Sequence, residues 1–224
     1  MNNFEIISSK EVSKKIKGFV SGAYRKNKKV FGRVPKKKFK VIICHNLAEW
    51  KKECKYYYFP FGLGTVLRDG TLIAKSHELI KKSRQYSDKQ YALMLDHEMN
   101  HVFFVFFYKM TKPVWILEGL ANVLGAKHLT KKEVLKRIKK EKVDYKILDY
   151  RYLERKFKEI EAIRLRYSTW RYFIEYITKN KPNIIVKFMD EYVKNPTIKN
   201  YKRLFLKFFK TNEKEKFEEF ITSL

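Results

Sequence analysis

Short apolar runs separated by turn residues mark the first part of the chain. The segment "FKVIIC", residues 39–44, is a β-branched run that predicts a buried strand. Further on, "LGTVLRDGTLIAK" places two short apolar runs around Asp69 and Gly70, and Asp-Gly is a strong hairpin signal. Before these strands, "SSKE" at 8–11 has the form of a capping box and predicts a helix that continues to about Lys29. These elements predict a small sheet backed by helices.

From about residue 87 onward, the sequence shows mainly helical periodicity. "SDKQ" at 87–90 is another capping box, and the helix that it predicts runs to about Lys109. Pro113 suits the first turn of the next helix, and "TKKE" at 130–133 predicts the start of a further one. Turn-forming residues interrupt the pattern near Tyr145 and at 179–183, 194–197 and 211–214.

These patterns predict an α+β protein made of a single domain, residues 1–224. Its first lobe, residues 1–110, would hold the small sheet with its helices, and its second lobe, residues 111–224, would be helical. The sequence contains no internal repeat and no Gly/Ser-rich linker, which argues against independent domains joined by a tether. With 45% hydrophobic residues, the chain has ample material for a core.

The chain is strongly basic. It has 51 Lys and Arg against 24 Asp and Glu, which gives a formal net charge of +27. A surplus of this size attracts polyanions and acidic proteins. Because the lysines are spread along the whole chain, a general bias in composition explains them equally well. The basic segments 131–142 and 199–210 each suit a nucleic-acid interface or the solvated face of an amphipathic helix.

Apolar runs and cysteines bear on where the protein resides. The first twenty residues lack the continuous apolar run of a secretory signal. The longest apolar run, 102–108, is too short to span a bilayer. We therefore expect a soluble, cytoplasmic protein. Cys44 and Cys54 show no CxxC spacing and are expected to be small buried hydrophobic residues rather than a disulfide framework.

Two histidines one helical turn apart are the strongest chemical signal in the sequence. On a helix, His97 and His101 of "HEMNH" lie on one face, as two ligands of a single metal ion require. Glu98 lies about 100° round the helix from His97, where a general base can take a proton from water beside the metal. Neutral imidazole suits Zn²⁺. The alternative is a pair of core histidines, which would bury polar groups in an apolar helix without an evident partner.

A third metal ligand is expected beyond this helix, since residues 104–107 are all apolar. Glu118 lies in the first turns of the next helix, within "PVWILEGLANVL". Its neighbours Trp115, Leu117 and Leu120 are apolar and place this turn in the core. A divalent cation there would compensate the charge of the carboxylate. An ordinary surface glutamate is the alternative.

Together, "HEMNH" and "PVWILEGLANVL" resemble the gluzincin metallopeptidases and, within them, the small peptidase MA-like proteins. The likeness is specific over residues 95–124. It implies a thermolysin-like fold and one Zn²⁺ per chain, bound by His97, His101 and Glu118, with Glu98 as the catalytic base. It also implies hydrolysis of peptide bonds by a metal-activated water.

The resemblance suggests further residues around the metal. Gluzincins commonly carry an acidic residue four positions after the glutamate ligand, where it steadies a ligand histidine, and Asn122 holds that position here. An amide can still accept a histidine N–H, but it does not raise the basicity of the ligand as a carboxylate does. Asp96 is the alternative, although its helical position points it away from the metal. The likeness extends to "RYSTWRYFIEYI", where Tyr167 is the candidate for stabilising the oxyanion.

The peptide substrate would bind to an exposed strand. Residues 71–75 directly precede the histidine helix, and we expect them to form the sheet edge to which an extended peptide adds. The three remaining histidines, His45, His77 and His128, are expected at the surface.

The sequence therefore favours a zinc-dependent peptidase that acts on peptide or protein substrates. Two alternatives stay open: a protease that its basic surface brings to nucleic acid, and a non-catalytic basic module that binds nucleic acid. The presence of both histidines, Glu98 and Glu118 favours an enzyme, because a binding module has no need of the base.

Overall fold

The architecture of the chain is α+β, as predicted, with one four-stranded sheet and many helices. Among the residues that the structure describes, no helix is long and apolar enough to cross a membrane. The structure is a computed structural model, and it describes residues 3–58, 62–83, 86–109, 112–125, 128–149 and 160–224.

The chain divides into two compact units. The first unit, Met1–Met110 with Leu124–Ala126, contains the sheet and the helix that carries both candidate histidines. The second unit, Thr111–Val123 with Lys127–Leu224, contains helices and, in its described residues, no strand.

Four strands form the sheet of the first unit: β1 (Phe4–Ser8), β2 (Phe39–Cys44), β3 (Gly64–Val66) and β4 (Leu72–Lys75). Their order is β1-β2-β4-β3, with β1, β2 and β4 parallel and β3 antiparallel to β4. The predicted strand at 39–44 and the hairpin are therefore confirmed, and Gly70 takes a φ of 86°, which favours glycine. The prediction that residues 71–75 form an exposed edge is wrong, because β4 lies between β2 and β3.

The first strand also corrects the prediction of a helix that starts at the "SSKE" of 8–11. Ser8 ends β1, and its Oγ lies 2.8 Å from His45 Nε2. The helix begins later, as α1 (Lys14–Phe31), with Ser13 as its N-cap. A five-residue strand that pairs with a distant partner leaves only a weak local pattern, whereas a Ser-x-x-Glu sequence is a local signal that tertiary pairing can override.

Aromatic packing joins the long helices of the first unit. The rings of Tyr24 and Phe31 in α1 lie with their centroids 5.6 and 5.4 Å from that of Phe103. Phe103 and Phe104 are fully buried, so the helix that carries the histidines continues into the core of this unit. After α1, the described helices of the unit are α2 (Leu47–Cys54), a 3-10 turn (Lys55–Tyr57), α3 (His77–Ser83) and α4 (Asp88–Tyr108).

Both cysteines are buried and free, as expected. They belong to a small apolar cluster with Trp50 and Ile73. Burial raises the pKa of the Cys44 thiol to about 12 and that of the Cys54 thiol to about 11. Both groups therefore stay protonated at neutral pH and pack as small hydrophobic residues.

The second unit is built on buried aromatic residues. Phe173 lies with its ring centroid 5.3 Å from Trp115 and 5.4 Å from Phe220. The breaks predicted in the helical pattern all separate observed helices. The described elements are α5 (Val114–Leu124), α6 (Lys131–Glu141), a 3-10 turn (Tyr145–Leu148), α7 (Ile160–Thr178), α8 (Ile184–Tyr192), α9 (Ile198–Phe209) and α10 (Glu213–Ser223).

The two basic segments form amphipathic helices whose basic residues face solvent. In α6, Val134 and Ile138 are buried while most of the lysines are exposed. In α9, Leu204 and Phe205 are buried and the basic residues again point outward. This is the arrangement of a solvated helix face. Binding of nucleic acid to these faces stays a prediction.

Candidate metal centre

The helix that carries both candidate histidines begins at the predicted capping box. Ser87 Oγ accepts a hydrogen bond from the Gln90 main-chain N–H at 3.2 Å, and Gln90 Oε1 accepts one from the Ser87 N–H at 2.8 Å. These bonds confirm the capping box and set the start of α4. In this helix, His97 and His101 lie on one face with ring centroids 4.7 Å apart.

The two imidazoles approach each other through their Nε2 atoms, which are 3.0 Å apart. Two nitrogens that each lie about 2.0–2.1 Å from a tetrahedral metal ion are about 3.3 Å apart, so a small adjustment would make this pair a chelating one. At this distance one nitrogen donates its N–H to the other, and the tautomers of the two rings set the direction of the bond. The geometry of His97 and His101 therefore suits two ligands of one metal ion.

Burial decides the charge of the second histidine. His101 is buried, whereas His97 is only half-buried. Desolvation lowers the pKa of His101 to about 4. The imidazole is therefore neutral at pH 7, which is the form that binds a metal.

Glu118 adds a carboxylate to the two imidazoles. It is half-buried in α5, near the start of that helix. One ligand atom from each of His97, His101 and Glu118 lies within 4.8 Å of the other two, so these three side chains could hold a metal ion. Two neutral imidazoles and one carboxylate form a donor set that suits a borderline divalent cation.

A close helix contact fixes the turn of α5 that carries Glu118. Gly119 packs against α7, where an added Cβ would lie 2.8 Å from Ile174 Cγ1 and 3.0 Å from the main-chain oxygen of Trp170. Glycine at this position therefore lets α5 lie directly on the backbone of α7. The sequence analysis did not assign this role, although the glycine stands beside the ligand in the sequence.

Hydrogen bonds hold the following turn of α5. Asn122 is buried, and its Nδ2 donates to the main-chain oxygen of Glu118 at 2.7 Å. Arg171 Nη1 in turn donates to the main-chain oxygen of Asn122 at 2.6 Å. Asn122 thus steadies the helix turn that carries the carboxylate. Its predicted hydrogen bond with a ligand histidine stays a prediction.

Asp96 faces α1. Its carboxylate is buried and accepts a hydrogen bond from Lys26 Nζ at 2.5 Å. Beside it, Asn100 Nδ2 donates to Asn27 Oδ1 at 2.8 Å, and Asn27 Nδ2 donates to the main-chain oxygen of Asp96 at 3.2 Å. These buried bonds tie the turn that carries His97 to α1. The only sequence signal for them is a pair of asparagines on otherwise apolar helix faces.

The candidate base, Glu98, lies against the backbone of strand β3. It is half-buried, and a Cβ added to Gly64 would lie 2.5 Å from its Cγ, 2.9 Å from its Cδ and 3.1 Å from its Oε1. Only glycine leaves room for this carboxylate. The contact joins residues that are distant in sequence, so the pattern of the chain could not reveal it.

The candidate for stabilising the oxyanion lies on α7. Tyr167 is half-buried, with its ring centroid 5.7 Å from that of Trp170. The guanidinium carbon of Arg166 lies 5.3 Å from the centroid of the tyrosine ring. These contacts place the tyrosine ring against Trp170 and Arg166. Its catalytic role stays a prediction.

The three remaining histidines are all predicted at the surface, and His77 departs most from that prediction. His77 is buried, with Nδ1 3.1 Å from Asp88 Oδ1 and Nε2 3.0 Å from the main-chain oxygen of Tyr86. These polar partners make its burial tolerable, and the prediction is wrong for this residue. His45 is half-buried, and His128 is exposed as predicted.

No family model matches the chain, and no curated protein matches it.

Proposed function

We propose that this protein is a zinc-dependent peptidase of the gluzincin type with a thermolysin-like fold. One Zn²⁺ per chain would be held by His97, His101 and Glu118. The observation that carries the proposal is the approach of these three ligand atoms to within 4.8 Å of one another. The donor set of two histidines and one glutamate leaves a fourth coordination position for water, as in catalytic zinc sites.

A zinc ion held by His97, His101 and Glu118 would supply Lewis-acid chemistry, namely a water nucleophile of lowered pKa and polarisation of the scissile carbonyl. The chain itself supplies the proton transfer. Glu98 follows His97 directly and accepts the proton that the attacking water loses. The protonated carboxyl group then donates to the leaving amine. Gly64 supports this role because it lets the backbone of β3 pack against the carboxylate.

The outer edge of β3 is the proposed place for the substrate. Among the described strands, β3 lies at the end of the sheet and pairs on one side only, with β4. An extended peptide can add to such an edge through main-chain hydrogen bonds. A peptide bound beside Gly64 would lie close to Glu98. The net charge of +27 favours acidic peptides among the candidates.

Metal content is the first test of the proposal. Protein purified without a chelator or a histidine tag is expected to contain one zinc per chain by plasma mass spectrometry. His101→Ala and Glu118→Ala are expected to lose it, because each removes one of three ligands. His128→Ala is the matched control, since this histidine is exposed and should leave the metal content unchanged. A folded wild-type protein that contains no zinc and cannot be reconstituted with it would overturn the proposal.

Gly64→Ala tests whether moving the Glu98 side chain lowers activity without a large loss in the stability of the fold. The added methyl group would approach Glu98 Cγ to 2.5 Å and Cδ to 2.9 Å, so we expect the Glu98 side chain to be displaced while the strand keeps its place. We expect kcat/KM on peptides to fall about 10- to 100-fold. The free energy of unfolding should change by less than about 1 kcal/mol.

The matched control for this substitution is Gly22→Ala. An added Cβ at Gly22 meets nothing within 4 Å, so this variant should keep full activity. Full activity in Gly64→Ala would contradict the role assigned to the contact with Glu98.

A further inference from the structure

A second feature of the helical unit has no part in the proposed metal chemistry. A cavity of about 660 Å³ opens beside the start of α5. Four aromatic residues contribute to its wall: Trp115, Tyr145, Tyr192 and Tyr201. Ile198, which is 77% exposed, extends this apolar surface into solvent. The size and lining are those of a small-molecule site.

Two carboxylates line the cavity, the exposed Asp149 and the more buried Glu213. Glu213 is half-buried in the first turn of α10, and its Oε1 accepts a hydrogen bond from the Tyr201 hydroxyl. Trp115 Nε1 donates to the same hydroxyl oxygen at 3.2 Å. The side chain of Glu213 is therefore held in place by a chain of two aromatic donors, before any ligand binds.

Burial makes the ionised form of Glu213 less favourable than it would be in water. Burial, with a smaller contribution from the negative charge of Asp149, raises the pKa of Glu213, and the hydrogen bonds from Tyr201 and Trp115 and the charge of Lys202 offset only part of that effect. Burial also raises the pKa of Tyr201 well above its usual range, so the phenol stays protonated and keeps donating. A cation placed against the carboxylate would stabilise its ionised form.

We propose that this cavity binds an organic cation, specifically a primary amine with an aromatic or branched apolar body. Glu213 would be the counter-ion, and the tyrosine rings would contact the apolar body and the ammonium group. Lys112 and Lys146 at the rim are both exposed, and the Nζ of Lys146 lies 4.0 Å from Asp144 Oδ2. Solvent screens these exposed charges far more than it screens the half-buried carboxylate.

Isothermal titration with three matched ligands tests the proposal. The probes are 2-phenylethylamine, the neutral 2-phenylethanol and the anionic 3-phenylpropanoate, each added to wild-type protein at pH 7. We expect the amine to bind at least about tenfold more tightly than the other two, since a charge-assisted hydrogen bond to Glu213 discriminates by that much. Equal affinities for amine and alcohol, or no binding of the amine, would overturn the proposal.

Two variants then test whether the preference for the amine over the alcohol depends on the carboxylate of Glu213. Glu213→Gln keeps the size of the side chain and is expected to lose most of the preference for the amine, because the remaining Asp149 is exposed and screened by solvent. Glu218→Gln, on the exposed face of α10, is the matched control and should bind the amine as the wild type does. Retention of the amine preference in Glu213→Gln would also overturn the proposal. The wild-type comparison does not depend on any variant folding, and none of these readouts requires metal or peptidase activity.

Discussion

Glu98→Gln is expected to abolish most peptidase activity while the protein keeps one zinc per chain. The amide has the shape of the carboxylate and can occupy the same space beside Gly64, but it cannot accept a proton from water. Loss of a general base lowers the rate by about 100- to 10,000-fold. The measurements are kcat/KM on a fluorogenic peptide mixture and zinc content by plasma mass spectrometry.

The outcomes of this experiment separate an enzyme from a binding module. Glu78→Gln in α3 is the control for removing a negative charge, and it should retain both zinc and activity. Full activity in Glu98→Gln would show that another group acts as the base. A wild-type protein that binds zinc but cleaves none of the peptides would favour a structural metal site, and the basic surface would then become the leading clue to function.

Features that depend on local sequence could be predicted. The capping boxes at 87–90 and 130–133 both form, because each one is completed within four residues of the chain. The turn at Gly70 follows from two residues in the same way. Helical spacing alone placed His97 and His101 on one face, since residues four apart lie one above the other.

Features that depend on pairing between distant segments could not be predicted. Strand β1 and the central position of β4 follow from the order in which strands pair, and this order leaves no local pattern. The contact of Gly64 with Glu98 arises in the same way. The hydrogen bond between Asn27 and Asn100 requires α1 to pack on α4, so two unremarkable asparagines become part of the support for the turn that carries His97.

Gly119→Ala is expected to reduce stability more than a typical surface substitution. In a solvated helix, replacing glycine by alanine stabilises the fold by about 0.5–1 kcal/mol. Here the new methyl group would meet the Trp170 main chain and the buried Ile174 side chain at 2.8–3.0 Å. Neither can move without shifting α7, and such overpacking costs about 1–3 kcal/mol. The net loss in the free energy of unfolding should be about 1 kcal/mol, measured by urea denaturation.

Two glycines of α1 provide the control for this substitution, because a Cβ added to Gly18 or Gly22 meets nothing within 4 Å. Gly18→Ala and Gly22→Ala should each stabilise the protein by about 0.5–1 kcal/mol, opposite in sign to Gly119→Ala. The displaced turn of α5 should also weaken zinc binding, since Glu118 directly precedes Gly119 and a ligand must keep its position to within a few tenths of an ångström. A stabilising effect of Gly119→Ala would mean that α5 and α7 do not touch at this point, and the support proposed for the glutamate ligand would be lost.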